Sequence, residues 1–373
     1  MFGCADADST GAPAADRLTL EQVLQSPLSG VDGLAQSGPL VTVTTTLTSG
    51  SPRTARTYLS SRLRGPSDPS TPSYLELESP LGQVTADYPV STAFDGRHAC
   101  IGSGTSAKRF IGACVRPGTT NWAPLPSIPR AAGTVFQLFT SAGRIYCAVT
   151  STTRSTPKIS LLRLSNGSPA RWRETDTIRG QQLGISHIGG KAALAVPQTT
   201  GGVEAFRIEH SGKAAPFTTQ RAKQAFRGLF YSPISTGPGF SSRTGWVVAL
   251  GVPTRGGRQV RVYSLKTGRY TVVPMEGAEQ ATGFVFNGKT HPWIVIQRVL
   301  PGKQAQPTPT ELTAIPLLRP PGQPGAFGRQ RKISQGPWLL APPTLLQTAD
   351  DRYVAYPTLE NNSIPYRLYK LAP

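Results

Sequence analysis

Basic side chains in polar loops are the residues of this chain best suited to bind a ligand. They lie in segments rich in Thr, Ser, Gly and Pro that separate apolar runs: Lys108, Arg109, Arg154, Lys158, Arg255, Arg258 and Lys303. Arg presents a planar, permanently charged fork that fits carboxylate and phosphate groups. Loops on a rigid scaffold often hold binding residues. We therefore predict that these seven loop cations bind an anionic group.

Acidic side chains give a weaker indication of catalysis. The candidate carboxylates outside the N-terminal segment are Asp87, Asp95, Asp176, Glu276, Glu279, Asp350 and Asp351. Asp95, Asp350 and Asp351 fall in predicted hairpin turns, where Asp is favoured for its hydrogen bonds to the backbone. A glycoside hydrolase needs a pair of carboxylates at its site. A hydrolase or lyase is therefore the alternative function and not the favoured one.

No metal or cofactor is expected from the sequence. The histidines, His98, His187, His210 and His291, do not pair with one another at metal-ligand spacing. No Cys-x-x-Cys pair or Cys/His cluster occurs. Nucleophile-elbow, P-loop and glycine-rich dinucleotide-binding motifs are also absent from the sequence.

The positive charge of the chain indicates anionic partners. There are 39 Lys and Arg residues against 20 Asp and Glu, which gives a formal net charge of +19. Acidic residues are absent from Gly96 to Arg173 and again from His210 to Met275. A basic surface attracts anions, but the basic residues are scattered singly and do not form the runs typical of nucleic-acid-binding tails. The expected partner is an anionic polymer or a protein, with nucleic acid as a less favoured alternative.

Cys4 follows small residues at the start of the chain, in Met1-Phe2-Gly3-Cys4, and precedes a small and polar segment. This pattern resembles the lipobox and linker of a bacterial lipoprotein, in which the cysteine is acylated. No charged and apolar leader precedes Cys4, as a secretory signal would require. The resemblance implies a secreted or cell-surface lipoprotein attached to a membrane through a lipidated Cys4. The protein is cytoplasmic if Met1 is the true start.

Cys100 and Cys114 lie in segments predicted to be neighbouring strands, and a disulfide between them suits an exported protein. Such a bridge stabilises a fold by roughly 3 kcal/mol in the favourable case. Cys147 is left over. It follows Arg144 at the spacing at which Cys100 follows Arg97, so the alternative is that Cys147 faces Cys100 from the next unit.

A repeated pattern of strand, tight turn, basic residue and strand must position these side chains. Its turn glycines Gly96, Gly143 and Gly190 are 47 residues apart. Later copies of the turn centre on Gly245, Gly288 and Asp351. Asp-Gly, Gly-Gly and Asn-Gly supply the positive φ that two-residue hairpins require. The flanking runs alternate between apolar and polar residues or are wholly apolar, as strands do.

Several antiparallel strands in each period make the chain resemble the β-propeller superfamily, in which one period forms one blade. The resemblance covers residues 38–373, without a blade signature motif. The turns mark six blades and residues 40–90 have the strands of another. We expect an all-β, seven-bladed propeller closed by an N-terminal strand and preceded by a flexible tether, residues 1–37. Six blades is the alternative count, and a pair of β-sandwiches is the competing architecture.

The sequence as a whole indicates a binding protein. In β-propellers, ligands usually bind where the loops between second and third strands meet the loops between blades, which favours the seven loop cations. Cations after the hairpin turns, such as Arg97, Arg144 and Lys191, are expected to serve solubility at the opposite face. We expect a non-catalytic, exported β-propeller binding or scaffold protein at the bacterial cell surface. The alternative is a propeller hydrolase or lyase acting on an acidic glycan or phosphoester.

Overall fold

Antiparallel strands form nearly all of the regular secondary structure. The computed structural model describes residues 18–24, 33–37, 40–46, 55–60, 75–77, 91–104, 110–116, 121–128, 133–151, 157–165, 167, 169–180, 183–198, 201–227, 237–255, 257–274, 281–287, 291–299, 309–337, 344–347, 352–357 and 366–371. Within these ranges there are 28 strands and one short helix. The strands form seven four-stranded antiparallel sheets. The protein is therefore mostly β, as the sequence predicts.

Within each sheet the strands are hydrogen-bonded in chain order, apart from the first strand, β1 (Leu18–Leu24). Sheet 1 contains β2 (Gly33–Ser37), β3 (Leu40–Thr46), β4 (Ala55–Ser60) and β5 (Leu75–Leu77). Sheet 2 contains β6 (Ser91–Phe94), β7 (Ala99–Gly104), β8 (Phe110–Val115) and β9 (Ala123–Pro124). Sheet 3 contains β10 (Gly133–Ser141), β11 (Arg144–Ser151), β12 (Lys158–Leu164) and β13 (Trp172–Arg179).

The second half of the chain repeats this arrangement. Sheet 4 contains β14 (Gly184–Ile188), β15 (Lys191–Pro197), β16 (Val203–Ile208) and β17 (Ala214–Pro216), and is followed by the helix α1 (Gln220–Phe226). Sheet 5 contains β18 (Gly239–Ser241), β19 (Gly245–Thr254), β20 (Gly257–Ser264) and β21 (Tyr270–Val272). Sheet 6 contains β22 (Ala281–Asn287), β23 (Pro292–Val299), β24 (Pro309–Pro316) and β25 (Arg331–Pro337). Sheet 7 contains β26 (Thr344–Gln347), β27 (Arg352–Pro357), β28 (Tyr366–Leu371) and β1.

The predicted hairpin turns are present at the start of sheets 3 and 4. Ala142 and Gly143 between β10 and β11 have φ values of 50° and 68°, and Gly189 and Gly190 between β14 and β15 have 57° and 73°. Two successive residues with positive φ are characteristic of the hairpin turn that matches strand twist. The Ala142 N–H donates to the Gly190 carbonyl oxygen at 2.8 Å. The turns of neighbouring sheets are therefore in contact.

Hydrogen bonds also join the first strands of successive sheets at the period of the repeat. The Leu138 N–H donates to Ser91 Oγ at 2.7 Å. His187 Nε2 donates to the Thr140 carbonyl oxygen at 2.9 Å. In both pairs the partners are 47 residues apart. The sequence period is therefore also a spatial period.

Buried apolar side chains fill the space between consecutive sheets. Between sheets 3 and 4, Phe139 and Tyr146 stack with 5.3 Å between ring centroids, in one buried cluster with Leu194 and Ile208. Similar clusters join sheet 2 to sheet 3, sheet 4 to sheet 5 and sheet 5 to sheet 6. β15 is buried without a break over residues 192–196, so its sheet is covered on both faces.

Sheet 7 combines the two ends of the described chain. β1 pairs antiparallel with β28, with Leu18 opposite Leu371 and Leu24 opposite Tyr366. β1 and β2 both lie within residues 1–37, the segment predicted to be a tether. A register shift between Leu20 and Gln22 interrupts the alternation of β1. The position of this strand could therefore not be predicted from an alternating pattern.

Cys100 and Cys114 form the disulfide that was predicted from their positions. They are direct partners on β7 and β8. Cys147 is a free cysteine, buried in the apolar cluster that also contains Cys100. It therefore lies with Cys100 between sheets 2 and 3, as the alternative has it, but forms no disulfide with Cys100. Burial raises the pKa of the Cys147 thiol, which keeps it protonated and unreactive. Cys4 lies outside the described residues.

The helix α1 packs between sheets 4 and 5. Thr219 caps it by accepting the Ala222 N–H at 3.2 Å, and Phe226 meets the Tyr263 ring edge-on at 5.2 Å. In the described part of the chain no helix has the length and apolar character needed to cross a membrane.

Replacing Trp172 by Phe will lower the free energy of unfolding by about 1 kcal/mol, the net value of a typical hydrogen bond. Trp172 lies edge-on to Phe110, with ring centroids 5.8 Å apart, and its Nε1–H donates to the Pro126 carbonyl oxygen at 2.8 Å. Chemical denaturation measures the loss. The matched control is Trp122→Phe, because Trp122 Nε1 has no hydrogen-bond partner among the described residues. Equal losses in the two variants would show that the Trp172 hydrogen bond contributes nothing.

Candidate functional site

A cavity of about 590 Å³ lies at the edge of sheet 3, beside sheet 4. The described residues that line it include four arginines and no acidic residue: Arg144, Arg163, Leu164, Ser165, Gly167, Pro169, Arg171 and Arg173. We call this the arginine cavity. These lining residues all lie within the interval 96–173, in which the sequence has no Asp or Glu.

Strand register explains why the arginines meet. Arg163 on β12 lies directly opposite Arg173 on β13 and opposite the buried Tyr146 on β11. Side chains two positions apart on a strand share a face. Arg144 therefore lies on the face of Tyr146, and Arg171 on the face of Arg173.

The cavity arginines consequently form two rows across the sheet. The inner row runs from Tyr146 to Arg163 and Arg173. The outer row runs from Arg144 past Ser165 to Arg171, where the Ser165 N–H donates to the Arg171 carbonyl oxygen at 2.8 Å. The Arg171 N–H in turn donates to Ser165 Oγ at 2.9 Å. The hairpin between β12 and β13 thus holds the outer row in place.

A turn of sheet 4 fixes two of the four guanidinium groups. Arg144 Nη1 donates to the His210 carbonyl oxygen at 3.3 Å, and Arg144 Nη2 donates to His210 Nε2 at 3.2 Å. Arg163 Nη1 donates to the Ser211 carbonyl oxygen at 3.3 Å. These bonds orient Arg144 and Arg163 without neutralising their charge.

The other two guanidinium groups are uncommitted. Those of Arg171 and Arg173 have no partner among the residues that the structure describes, and both side chains are exposed. Arg144 and Arg163 are half-buried. Like charges in a partly enclosed cleft focus the electric field and concentrate counter-ions there. The arrangement is therefore suited to bind an anion.

The sheet 4 turn that orients Arg144 and Arg163 is itself docked on β13. The Ala214 N–H donates to Asp176 Oδ2 at 2.8 Å. Gly212 in the turn has φ of 94° and lies against Thr175, so that a Cβ at this position would come within 2.8 Å of Thr175 Cγ2. Asp176, a candidate catalytic carboxylate in the sequence, therefore accepts a hydrogen bond between two sheets.

Three of the seven predicted loop cations lie among the described residues. Lys158 is exposed at the beginning of β12, at the end of sheet 3 opposite the cavity, and Arg255 is exposed after β19. Arg258 lies on β20 opposite Pro253. The remaining four lie outside the described residues: Lys108, Arg109, Arg154 and Lys303. Their role in binding stays a prediction.

The sequence reasoning missed the arginine cavity. Arg144 follows a hairpin turn and was expected to serve solubility only. The signal that would have found it is the placement of Arg163, Arg171 and Arg173 on either side of one hairpin, since antiparallel pairing sets such residues against each other. The contribution of sheet 4 is invisible in the sequence because His210 is 66 residues from Arg144.

His98 has the partners of a structural histidine. Asp95 Oδ1 accepts the N–H groups of Arg97 and His98 at 2.8 and 2.7 Å, and Asp95 Oδ2 lies 3.2 Å from His98 Nδ1. Arg116 Nε donates to His98 Nε2 at 3.3 Å. In a catalytic triad this nitrogen faces the nucleophile, so here an arginine takes the place of a nucleophile. Burial tends to raise the pKa of Asp95, but the bonds from His98 and Arg97 outweigh it and hold the pKa below its usual value.

Metal ligation receives no support from the described residues. Among them no three His, Cys, Asp or Glu side chains come together in a manner that would hold a metal ion. The arrangement that the described residues do provide is the cationic one.

Replacing Gly212 by Ala will destabilise the protein and loosen the turn that orients Arg144 and Arg163. An L-residue at positive φ costs about 1–2 kcal/mol, and crowding against Thr175 adds about 1–3 kcal/mol. The control is Gly190→Ala, since Gly190 has φ of 73° but nothing within 4 Å of an added Cβ. Thermal denaturation of both variants measures the difference. If Gly190→Ala is as damaging as Gly212→Ala, close docking on Thr175 does not stabilise the turn.

The free energy of unfolding will fall as the pH is lowered, and the variant His187→Gln will show a smaller fall. Burial lowers the pKa of His187, and its bond to the Thr140 carbonyl offsets this only in part. The pKa of His187 in the folded state is below the unfolded value near 6.5. The resulting stabilisation is present above about pH 6.5 and is lost as the pH falls through the folded-state pKa. The loss is at most about 1.4 kcal/mol per pH unit. Denaturant titrations between neutral and acidic pH test this. An unchanged slope in His187→Gln would rule out His187 as the source.

No protein-family model matches the chain, and no curated protein matches its sequence. Solved structures are similar in fold. Prolyl oligopeptidase B from Galerina marginata has a TM-score of 0.50 at 10% identity, covering 88% of this chain and 46% of that chain. Acylaminoacyl peptidase from Pyrococcus horikoshii has a TM-score of 0.53 at 9% identity, covering 92% and 52%. The polysaccharide lyase Uly1 has a TM-score of 0.52 at 8% identity, covering 92% and 90%.

The chain spans about half the length of the two peptidases, 46% and 52%. At identities near 10% these likenesses concern the fold alone. The structural neighbours are β-propeller proteins. The chain therefore resembles β-propellers in fold, as the repeat in its sequence predicts.

Proposed function

We propose that the seven sheets are the blades of one propeller, which begins at Leu18 and is closed where β1 pairs with β28. The contacts between consecutive sheets support this arrangement. β2 contacts both β26 and β6, and β10 contacts β6. Apolar clusters join the sheets from sheet 2 through to sheet 6. Radial repetition of this kind leaves only short strand edges.

We propose that the protein is a non-catalytic β-propeller binding protein that holds an anionic polymer at the arginine cavity. The observation that supports this function best is the convergence of four arginines in a cavity to which the described part of the chain contributes no acidic residue. Two of the guanidinium groups are oriented by backbone carbonyls, and two are available for a ligand. Arg is the side chain best matched to phosphate and sulfate oxygens.

A binding role fits the cavity better than hydrolysis or lysis. Arg is not deprotonated in proteins, so the cavity arginines offer no general base. Ser165 Oγ already accepts the Arg171 N–H. Among the described residues of the lining there is no Asp, Glu or His to accept a proton. The site therefore provides charge and shape without an acid–base pair.

Export to the bacterial cell surface, with attachment through a lipidated Cys4, is proposed as the setting of this binding protein. The Cys100–Cys114 disulfide supports it, because disulfides persist mainly in oxidising compartments. The lipobox-like residues around Cys4 support it independently. A scaffold role toward a protein partner fits the same surface when that partner presents an acidic segment.

Binding to polyphosphate and heparin will depend on the cavity arginines and on salt. The Arg171→Gln/Arg173→Gln double variant will bind both polymers more weakly, because it removes two uncommitted cations. The slope of log K against log salt will fall by about 1 for each cation lost, or about 2 in total. Titration calorimetry at several salt concentrations measures both quantities.

The matched control is Arg221→Gln/Arg227→Gln, which removes the same charge from exposed positions on α1 and its C-terminal cap. It will retain most of the affinity and the full salt slope. Equal losses in the two double variants would mean that net charge alone attracts the polymer. Salt-independent binding, or none, would refute the electrostatic site.

A further inference from the structure

The two rows of the arginine cavity have a fixed separation. Arg163 and Arg173 form the inner row, and Arg144 and Arg171 belong to the outer row two residues further along the strands. Strands rise about 3.4 Å per residue, so the rows are about 7 Å apart. The backbone positions of the four arginines are therefore divided into two rows at a defined distance.

The inner row is suited to one tetrahedral oxyanion, and the outer row places Arg144 and Arg171 on either side of Ser165. Arg163 and Arg173 are direct partners, and such positions have Cβ atoms about 5 Å apart. Two guanidinium forks at this distance reach one phosphate from two sides, each through a pair of N–H donors. A single small anion would occupy one row and leave the other row uncompensated.

The size and lining of the cavity restrict what joins the two anions. A volume of about 590 Å³ is in the range of cavities that take organic molecules rather than a lone ion. The other described residues of its lining are Leu164, Ser165, Gly167 and Pro169, and none of these carries an aromatic ring. Nucleobases bound in single strands stack on aromatic side chains. The lining therefore favours a linker without bases.

Resting on the proposed function, we propose that the arginine cavity recognises two successive phosphates of a linear, base-free phosphodiester chain. The inner row binds one phosphate and the outer row binds the next. A short polyol between them spans the separation of the rows. Ser165 lies in the outer row between Arg144 and Arg171, where its hydroxyl can donate to the second phosphate.

Bisphosphates of equal charge and different linker length test this spacing. Calorimetry compares methylene-linked, trimethylene-linked and hexamethylene-linked bisphosphates with methyl phosphate. The trimethylene compound is expected to bind at least about tenfold more tightly than the other two, because a matched linker gives the highest effective concentration for the second contact. Equal affinities for all three would overturn the two-row proposal while leaving anion binding intact. If neither these compounds nor polyphosphate binds, the proposed function fails as well.

Single variants test the contribution of each row to binding separately. Arg173→Gln weakens the inner row and Arg171→Gln the outer row, and each is expected to abolish the preference for the trimethylene linker while methyl phosphate still binds. Arg221→Gln is the control and keeps the preference. A preference that survives both cavity variants would overturn the assignment. Poly(glycerol phosphate) is expected to bind more tightly than an oligothymidylate of equal charge, and the opposite order would overturn the base-free linker.

Discussion

A four-stranded sheet with apolar side chains on both faces is stable in water only when another sheet covers each face, because exposed apolar surface costs about 25 cal/mol per Å². β15 illustrates this constraint, since it is buried without a break from residue 192 to 196. Sheet 4 must therefore pack against sheet 3 on one side and sheet 5 on the other. The apolar clusters and the hydrogen bonds between neighbouring first strands both follow from this stacking.

Stacking also explains where a polar site arises. Between sheets 3 and 4 the buried ring of Tyr146 faces its cross-strand partner Arg163, and beyond it the face becomes cationic. The turn that closes this edge comes from sheet 4, and its carbonyl groups at His210 and Ser211 accept from the arginines. Carbonyl oxygens orient a guanidinium group without adding an opposing charge. The arginine cavity is thus a product of the same packing that stabilises the fold.

The fold was more accessible from the sequence than the site. Gly143 and Gly190 mark hairpins because their turns need positive φ, and this requirement is local. The disulfide was also predictable, since Cys100 and Cys114 lie on adjacent strands. By contrast, the contacts of Arg144 with His210 depend on how two sheets dock, and no local pattern encodes that. An N-terminal strand was expected but not located within residues 1–37, because the register shift between Leu20 and Gln22 breaks the alternation that identifies strands.

The disulfide has a consequence for resistance to proteolysis. Cys100 and Cys114 join β7 to β8, so the peptide between them is a covalently closed ring. A protease that cuts anywhere within that ring leaves the two fragments attached to each other. β7 and β8 then stay covalently joined through Cys100 and Cys114, which are direct partners in the sheet. A single cleavage between Cys100 and Cys114 therefore does not separate the protein into two pieces.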